Sequence, residues 1–305
     1  MPYTREVSPL DSWLDEFAEV LLASRHAFFR IVQDYRWRPA PSSPAMVDAR
    51  QLAQSGRRLE VITEVVSSYL ELATHHAGGL AGLYMSREVF AAPDQLARSV
   101  IEACAKAVWV LGVDTSTTAK ERLARAYLEI DLSNEEKQKA EGWLNGKSSA
   151  GYADTRQKFK KGRAEIKAIF PGEVDFDKGT IHRQRRLSPT ESVIGFFQIE
   201  RESGGLALAP RVAEGLYTVL SNGTHPTLYT LRSKRRPVPR EDGLYDTLLT
   251  VDIAYLKRLT ELAVAALYIA LATVHDYLGH EFDPDARFAD SIDAALPGML
   301  LPQNH

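Results

Sequence analysis

The 305-residue chain contains a single cysteine, Cys104. One thiol cannot form an intrachain disulfide, and it cannot supply the several cysteines of a zinc-thiolate site. The first residues contain no apolar core of signal-peptide length. The most apolar window, Leu262–Val274, is much shorter than the roughly 20 residues that a membrane span requires. These absences predict a cytoplasmic protein without a membrane anchor, in which this window is a buried core helix.

Motifs that hold nucleotides or carry out hydrolysis are also missing. The chain has no GxGxxG, no GxxxxGK[ST], no GxSxG and no HExxH. Di-metal sites in helical bundles use Glu-x-x-His pairs, and none occurs here. Glu71 and His75 are four residues apart, but they share the polar face of a predicted helix, which is typical of solvent exposure. We therefore expect neither a metal nor a cofactor.

Strand signals are few, since no long run alternates between β-branched and polar residues. Helix signals are frequent. Residues 9–36 carry an apolar stripe with a period of 3.6, and Ser188-Pro189-Thr190-Glu191 combines a capping serine with proline at the first helical position. With 45% hydrophobic and 25% charged residues, the composition is that of an ordinary globular protein. The predicted class is all-α, a bundle of about eight to ten helices in a single domain over residues 1–305.

Glycine, proline and capping patterns predict individual boundaries. Gly78 and Gly79 are expected to end or kink the second helix, and the capping-box pattern Ser133–Glu136 is expected to begin the fifth. Residues 171–187 are predicted to form an exposed loop, and residues 232–243 a basic, proline-containing one. Apart from the fifth helix, the predicted helices run over about 9–36, 45–77, 93–112, 117–131, 150–169, 188–199, from 210 to near 222, and 244–281. A short C-terminal helix follows them.

Positive charge is concentrated in two segments, although the net charge is −3. Residues 156–186 contain ten Lys/Arg against four Asp/Glu, and residues 232–240 contain five Lys/Arg and no acid. On the sixth predicted helix, four bases follow the spacing i, i+4, i+7, i+11, and like charges at this spacing disfavour an isolated helix. Either the stripe is a solvated face, or it faces phosphates or an acidic partner. The candidate anion- or nucleic-acid-binding residues are Arg156, Lys160, Arg163, Lys167, Arg183, Arg185, Arg186, Lys234, Arg235 and Arg236.

The basic helix and the loop after it, residues 150–187, are predicted to form a protruding subregion of the bundle. A second feature lies on the third predicted helix, where Arg98, Glu102 and Lys106 are successive i,i+4 neighbours. They could form a surface ion-pair ladder. However, Trp109 shares their side of the helix, which indicates that another helix, a subunit or a ligand covers this face.

The segment "LYTVLSNGTHPTLY" places Tyr217, Ser221 and His225 at steps of four. Gly223 is expected to end this helix near Asn222, with the following proline preventing its renewal. His225 would then lie just past a helix C-terminus, where the macrodipole favours its charged form. Because no third group that orients the histidine is evident, the pattern does not favour a serine hydrolase.

Taken together, "RSVIEACAKAVWVL" and "YTVLSNGTH" resemble a group of uncharacterised all-α prokaryotic proteins related to the HEPN superfamily. That superfamily includes RNA-cleaving toxins, defence proteins and non-catalytic nucleotide-binding members. The resemblance covers these two segments directly and, by helix order, residues 60–280. It implies a helical core in which Arg98, Glu102 and His225 converge. The Arg-x(4–6)-His motif of HEPN ribonucleases is absent, so the resemblance does not imply nuclease activity.

The first hypothesis is therefore a HEPN-like protein that binds RNA or a nucleotide, in a prokaryotic defence or toxin context. Its interior polar cluster would contain Arg98, Glu102, Ser221 and His225, and the sequence leaves open whether that cluster is catalytic. A second hypothesis is a non-catalytic interaction module that docks an acidic protein and forms a homo-oligomer through Trp109. A third is a small-molecule enzyme with a helical pocket.

Overall fold

The protein is described by a computed structural model that covers residues 9–54, 59–112, 116–199, 208–224, 228, 232, 234–280 and 286–297. The predicted all-α bundle is confirmed, since these residues form ten α-helices and few short strands. The helices are α1 (Pro9–Arg30), α2 (Pro44–Gln54), α3 (Glu60–Ser86), α4 (Ala92–Leu111), α5 (Ala119–Leu144), α6 (Ala150–Ile169), α7 (Pro189–Phe197), α8 (Pro210–Thr224), α9 (Ile253–Leu278) and α10 (Ala286–Ala295). The strands are β1 (Val174–Asp175), β2 (Thr180–Ile181), β3 (Gln184–Arg185), β4 (Arg235–Pro239) and β5 (Tyr245–Leu249).

Helix α4 lies at the centre of the bundle, where it packs against α3, α9, α7 and α8. The core that α3, α4 and α9 build with α1 consists mainly of alanine, leucine, isoleucine and valine side chains. Small residues let these helices approach closely, and the branched ones fill the space between them. Helix α9 is long and apolar enough to cross a membrane, but 83% of its apolar window is buried inside the protein. The expectation that Leu262–Val274 forms a buried core helix is confirmed.

Two predicted boundaries around α3 are wrong. The predicted helix over 45–77 is divided into α2 and α3, and α3 continues through Gly78 and Gly79 as far as Ser86. A Cβ on Gly78 would lie 3.2 Å from the guanidinium of Arg25, and one on Gly79 would lie 3.4 Å from Leu96. These glycines therefore mark places where α1 and α4 pack closely on α3, and tertiary packing outweighs their low helix propensity.

Helix α5 also differs from its prediction, because the fourth and fifth predicted helices are one. It begins at a capping box in which Thr118 accepts from the Glu121 amide and Glu121 accepts from the Thr118 amide, and it runs unbroken past Ser133. The pattern Ser133–Glu136 matches a capping box, but it is equally compatible with a helix interior. Packing of α6 along α5 keeps the helix continuous.

Two segments predicted as loops contain strands. Within residues 171–187, β1, β2 and β3 form a small antiparallel sheet next to α5, with Ile181 fully buried. β4 and β5 form a hairpin within 235–249, and α9 begins only at Ile253, where Asp252 accepts from the Ala254 amide. Strands of two to five residues are too short for the alternation that identifies a strand in sequence.

Candidate functional site

A hydrogen-bond network joins α4 to α8 around Arg98. Its Nε donates to Oε1 of Glu102 at 2.6 Å, Nη1 donates to Oγ1 of Thr224 at 2.5 Å, and Nη2 donates to the Tyr217 hydroxyl at 3.0 Å. The Tyr217 hydroxyl donates in turn to Oε1 of Glu102 at 2.7 Å. All three guanidinium nitrogens are thus engaged, and the ion pair with its two partners from α8 forms a closed cluster.

The chain reaches this geometry because α8 crosses α4 at a glycine. A Cβ on Gly223 would lie only 2.4 Å from Cβ of Asp94, so no larger residue fits without displacement. Helix α8 includes Gly223 and is described as far as Thr224, and the residues directly after it lie outside the described ranges, so the predicted end near Asn222 stays a prediction. Gly223 acts here through its lack of a side chain at a close crossing.

The structure brings together only part of the predicted cluster. Arg98 and Glu102 are in contact, whereas Ser221 contributes its backbone carbonyl, which accepts from the Thr224 hydroxyl at 2.7 Å. His225 lies outside the described residues. Tyr217 and Thr224 were missed as members of the cluster. The four-residue steps in the sequence already placed Tyr217 and Ser221 on the same face of α8. Only the packing of α8 across α4 determines that this face contacts Arg98 and Glu102.

The environment of Tyr217 favours its neutral, hydrogen-bonding form. Burial, followed by the hydrogen bond to Glu102, raises the pKa of the Tyr217 phenol. The Arg98 guanidinium also lies 5.2 Å from the centre of the Tyr217 ring. The cluster thus holds the part of α8 between Tyr217 and Thr224 against α4.

Lys106 does not continue the predicted ladder on α4. Its Nζ donates to Oε1 of Glu129 on α5 at 2.7 Å, and the Tyr69 hydroxyl donates to Oε2 of the same carboxylate at 2.5 Å. Trp109 is half-buried, with the Lys106 ammonium 5.5 Å and the Arg125 guanidinium 5.9 Å from its ring. The cover predicted for this face is therefore supplied, at least in part, by α5 of the same chain.

Four of the ten candidate basic residues form internal ion pairs. Arg163 and Arg186 both donate to the buried Asp131 on α5. Arg185 pairs with Glu191 at 2.8 Å. Lys234 donates to the buried Asp94 at 3.0 Å and to the Phe90 carbonyl at 2.7 Å, which anchors the start of the β4–β5 hairpin. Arg163, Arg186 and Lys234 each pair with a buried carboxylate, whereas the Arg185–Glu191 pair is exposed, and the charge of all four bases is largely compensated.

The other six candidates are exposed, and no carboxylate in the described ranges forms an ion pair with them. They are Arg156, Lys160, Lys167, Arg183, Arg235 and Arg236. Three of the six lie along one stripe of α6. This stripe is held in place by Arg163, whose guanidinium bonds to Asp131 and lies 4.2 Å and 4.3 Å from the ring centres of Phe159 and Phe176.

A groove of about 320 Å³ runs between α5 and α6. It combines three aromatic side chains with basic and polar ones. Trp143 is 81% exposed, and Gly142 lets the ring of Tyr152 approach the α5 backbone closely. The lining residues are Glu135, Gln138, Lys139, Gly142, Trp143, Lys147, Tyr152, Phe159 and Arg163. Since Ile166 is the buried residue of α6, this hairpin of helices projects from the bundle.

A second concavity, of about 440 Å³, lies where the first turns of α2 and α5 meet α9. Nη1 of Arg122 donates to both oxygens of Asp48, at 3.2 Å and 3.1 Å, and the Tyr277 hydroxyl donates to the same carboxylate at 2.9 Å. Burial raises the pKa of Asp48, while the Arg122 charge opposes that rise. Nε of Arg122 donates to the Leu111 carbonyl, so Nη2 is the nitrogen without a partner among the described residues.

No group of three or more metal-ligating side chains occurs among the described residues. Comparison with known proteins adds no relationship, since no family model, no curated protein and no solved structure matches the chain.

Proposed function

We propose that the protein binds single-stranded RNA, or a nucleotide within such a strand, in the groove between α5 and α6. The observation that carries the proposal is the combination of the exposed Trp143 ring and the half-buried Tyr152 and Phe159 rings of this groove with a stripe of uncompensated bases beside it. Single-strand binding sites combine aromatic platforms for the bases with positive side chains along the phosphates. The core of a protein–protein interface is usually depleted of charged residues, lysine included.

The phosphate contacts are assigned to bases without an internal partner. Arg156, Lys160 and Lys167 lie within one stripe of α6, and Lys147 lines the groove from the loop before it. Pairing of Arg163 with Asp131 removes that arginine from the phosphate-binding set and makes it a support for the stripe. The proposed set of phosphate contacts is therefore smaller than the set expected from the sequence, and it still lies mainly on α6.

Base stacking is assigned to Trp143, with Tyr152 and Phe159 forming the wall of the groove. An indole that is 81% exposed leaves most of its apolar surface in water, without cover from the described part of the chain. Stacking of a base on an aromatic ring contributes about 1–3 kcal/mol and tolerates any base, because every base has a π face. The proposal therefore expects little sequence preference.

The resemblance to HEPN-related proteins is the sole basis for extending this proposal to a prokaryotic defence or toxin context. No step of RNA cleavage is proposed, since the Arg-x(4–6)-His motif is absent. Under this proposal the Arg98 cluster has a supporting role, holding α8 on the bundle.

Fluorescence anisotropy with a labelled single-stranded RNA tests the proposal. About four phosphate contacts would give a slope near −3 for the logarithm of affinity against the logarithm of salt concentration, so raising salt from about 50 to about 200 mM should weaken binding roughly 50-fold. The double substitution Arg156→Ala/Lys160→Ala should weaken binding about tenfold and reduce the magnitude of the slope by about 1.4. Trp143→Ala should also weaken it about tenfold.

The matched control is Lys158→Ala/Lys178→Ala, which removes the same charge from side chains that pair with Asp154 and Asp175. It should leave RNA affinity within about twofold of the original. Equal losses in the two double variants would indicate a response to net charge alone and would refute the assigned groove. Binding of an acidic peptide in place of RNA would favour the interaction-module hypothesis.

A second candidate function is binding of a small anion in the cavity around Arg122. The observation that favours it is the Nη2 group of Arg122, a 7%-exposed residue, which has no partner in the described ranges. The first turns of α2 and α5, whose amides carry partial positive charge, line the same cavity. Isothermal titration with inorganic phosphate and with citrate tests this idea. If neither anion gives a saturable heat, this candidate is removed.

A further inference from the structure

The cavity around Arg122 is larger than an inorganic anion requires. Its volume of about 440 Å³ lies within the range of roughly 300–1,000 Å³ that is usual for pockets that bind organic molecules. Helix α2 forms one wall with Pro44 and Val47, and the side chain of Val47 is 40% exposed. An inorganic anion would leave this apolar wall in water. The cavity therefore has space for an organic body attached to the anion.

The donors for an anion converge at the first turn of α5. The capping box uses the amides of Thr118 and Glu121, and the Arg122 amide donates to the Thr118 carbonyl. In the described part of the chain, the amides of Ala119 and Lys120 have no acceptor. Ala119 lines the cavity together with Arg122, whose Nη2 also lacks a described partner. A phosphate at a helix N-terminus binds to donors of this kind.

The carboxylates next to these donors are already engaged by other groups. Asp48 accepts hydrogen bonds from Arg122 and from the Tyr277 hydroxyl, so its charge is compensated inside the cavity wall. Glu121 does not line the cavity, and its Oε1 accepts from Nε2 of Gln184 on β3 at 3.2 Å. An anion at the first turn of α5 is therefore not opposed by an unpaired carboxylate of the cavity wall.

The guanidinium of Arg122 favours a phosphate over a carboxylate. Nε is bonded to the Leu111 carbonyl and Nη1 to Asp48, so no pair of parallel N–H groups is left for a bidentate carboxylate. The three available donors are separate N–H groups: Nη2 and the two first-turn amides of α5. A tetrahedral phosphate monoester has three terminal oxygens that can each accept from one of them.

The rim of the cavity is polar where it faces solvent. It carries the hydroxyl of Ser42, the amide of Gln51 and, from α9, the carboxylate of Asp276, and all three residues are exposed. Asp276 disfavours a second negative group on the ligand, because like charges repel at this range. A hydroxyl, in contrast, donates to a carboxylate and accepts from an amide. The rim therefore matches a body with hydroxyl groups and a single phosphate.

We propose that this cavity binds a sugar phosphate, with the phosphate at Arg122 and the first turn of α5 and the sugar against α2. The inference rests on the second candidate function, an anion at Arg122, and it names the class of molecule that carries the anion. Nη2 of Arg122 donates to one phosphate oxygen. The carbon skeleton of the sugar packs on Val47, and its hydroxyls bond to the polar side chains of the rim.

Isothermal titration with ribose 5-phosphate tests the class of ligand. It should bind saturably and at least about tenfold more tightly than inorganic phosphate, because the sugar adds contacts that the free ion cannot make. Ribose should give no saturable heat, since it lacks the charged group that the donors require. Saturable binding of ribose as tight as that of its phosphate would overturn the proposal.

The same titrations separate this inference from the anion site on which it rests. If inorganic phosphate binds as tightly as ribose 5-phosphate, the anion site stands and the sugar phosphate is refuted. If ribose 5-phosphate, inorganic phosphate and citrate all give no saturable heat, both proposals are refuted together.

Two substitutions on α2 locate the site without touching the buried Arg122. Val47→Asp places a carboxylate on the cavity wall and should weaken binding of ribose 5-phosphate at least about fivefold by repulsion. Ala53→Asp adds the same charge at an exposed position that does not line the cavity, and it should leave the affinity within about twofold. Unchanged unfolding midpoints show that both variants remain folded. Equal affinities of the two variants would overturn the assigned cavity.

The amides of Ala119 and Lys120 give an independent reading. Their chemical shifts in the NMR spectrum should move as ribose 5-phosphate is added, and a titration that moves only amides outside the first turn of α5 would overturn the placement. The groove between α5 and α6 shares no lining residue with this cavity. Val47→Asp should therefore keep the RNA affinity of the original chain, and a loss of RNA binding equal to the loss of ribose 5-phosphate binding would refute a separate site.

Discussion

The hydroxyl of Tyr217 lies 2.7 Å from Oε1 of Glu102 and 3.0 Å from Nη2 of Arg98. One phenol on α8 thus bridges both members of an ion pair on α4. The sequence placed the ion pair on one helix turn. The phenol joins this pair only because α8 packs across α4. The two hydrogen bonds of the Tyr217 hydroxyl therefore stabilise the packing of α8 on α4.

Replacing Tyr217 with phenylalanine keeps the ring in place and removes both hydrogen bonds. Glu102 and Arg98 each lose a partner in a partly buried site, so we expect a loss of about 1–2 kcal/mol in the free energy of unfolding. Urea denaturation at low protein concentration measures this. Tyr245→Phe, at a 70%-exposed position, is the control and should change stability by less than about 0.5 kcal/mol.

Two glycines on α8 predict opposite effects of the same substitution. A Cβ at Gly223 would lie 2.4 Å from Cβ of Asp94, whereas a Cβ at Gly215 would meet nothing within 4 Å. Gly223→Ala should therefore destabilise the protein by about 1–3 kcal/mol, because α8 must move away from α4. Gly215→Ala should stabilise it by about 0.5–1 kcal/mol through helix propensity. Thermal unfolding of both variants checks the signs, and a stabilising Gly223→Ala would contradict the close helix crossing.

For the buried ion pair of Lys106 and Glu129, we expect removal of one charge to destabilise the fold more than removal of both charges. Lys106→Met leaves the Glu129 carboxylate, only 3% exposed, with Tyr69 as its remaining described partner, and this should cost about 3–5 kcal/mol. Lys106→Met/Glu129→Gln removes both charges and should recover part of that loss. Chemical denaturation of the two variants measures the difference. If the single variant proved the more stable of the two, the pair would not be a desolvated one.

The contact of Glu173 with Lys120 and His182 predicts a dependence of stability on acid. The hydrogen bond from Lys120, at 2.6 Å, and that from His182 lower the pKa of Glu173 from 4.5 to about 2. Since the pKa is lower in the folded state, the stabilising contribution is present above about pH 4.5 and is lost as the pH falls towards 2.

Glu173→Gln should lower the free energy of unfolding at pH 7. It should also reduce the amount by which that free energy falls between pH 4.5 and pH 2. Unfolding free energies measured at several pH values in this window test both parts. Glu241→Gln, on the exposed hairpin turn, serves as the control and should follow the original acid profile. If the unfolding free energy of Glu173→Gln fell with pH in parallel with that of the original chain, the Glu173 carboxylate would not contribute to the acid dependence of stability.

Capping and periodicity in the sequence predicted the all-α class, the bounds of α4 and α6, and the buried core helix within α9 to within a few residues. Local signals suffice for such elements, because apolar residues that recur every 3.6 positions over a long segment are typical of an α-helix. The same local signals failed at Ser133 and at Gly78-Gly79. There the outcome depends on whether a neighbouring helix packs against the segment, and no local pattern records that.

The sequence by itself determined which residue types were available: an Arg98–Glu102 pair one helix turn apart, a basic stripe on α6, and one thiol. Only the tertiary structure decided which charges remain uncompensated. Asp131 engages Arg163 and Arg186, and Asp94 engages Lys234, across 32, 55 and 140 residues of chain. An ion pair forms where two side chains meet in space, so partners this distant in sequence follow from the packing of helices and not from any spacing in the chain.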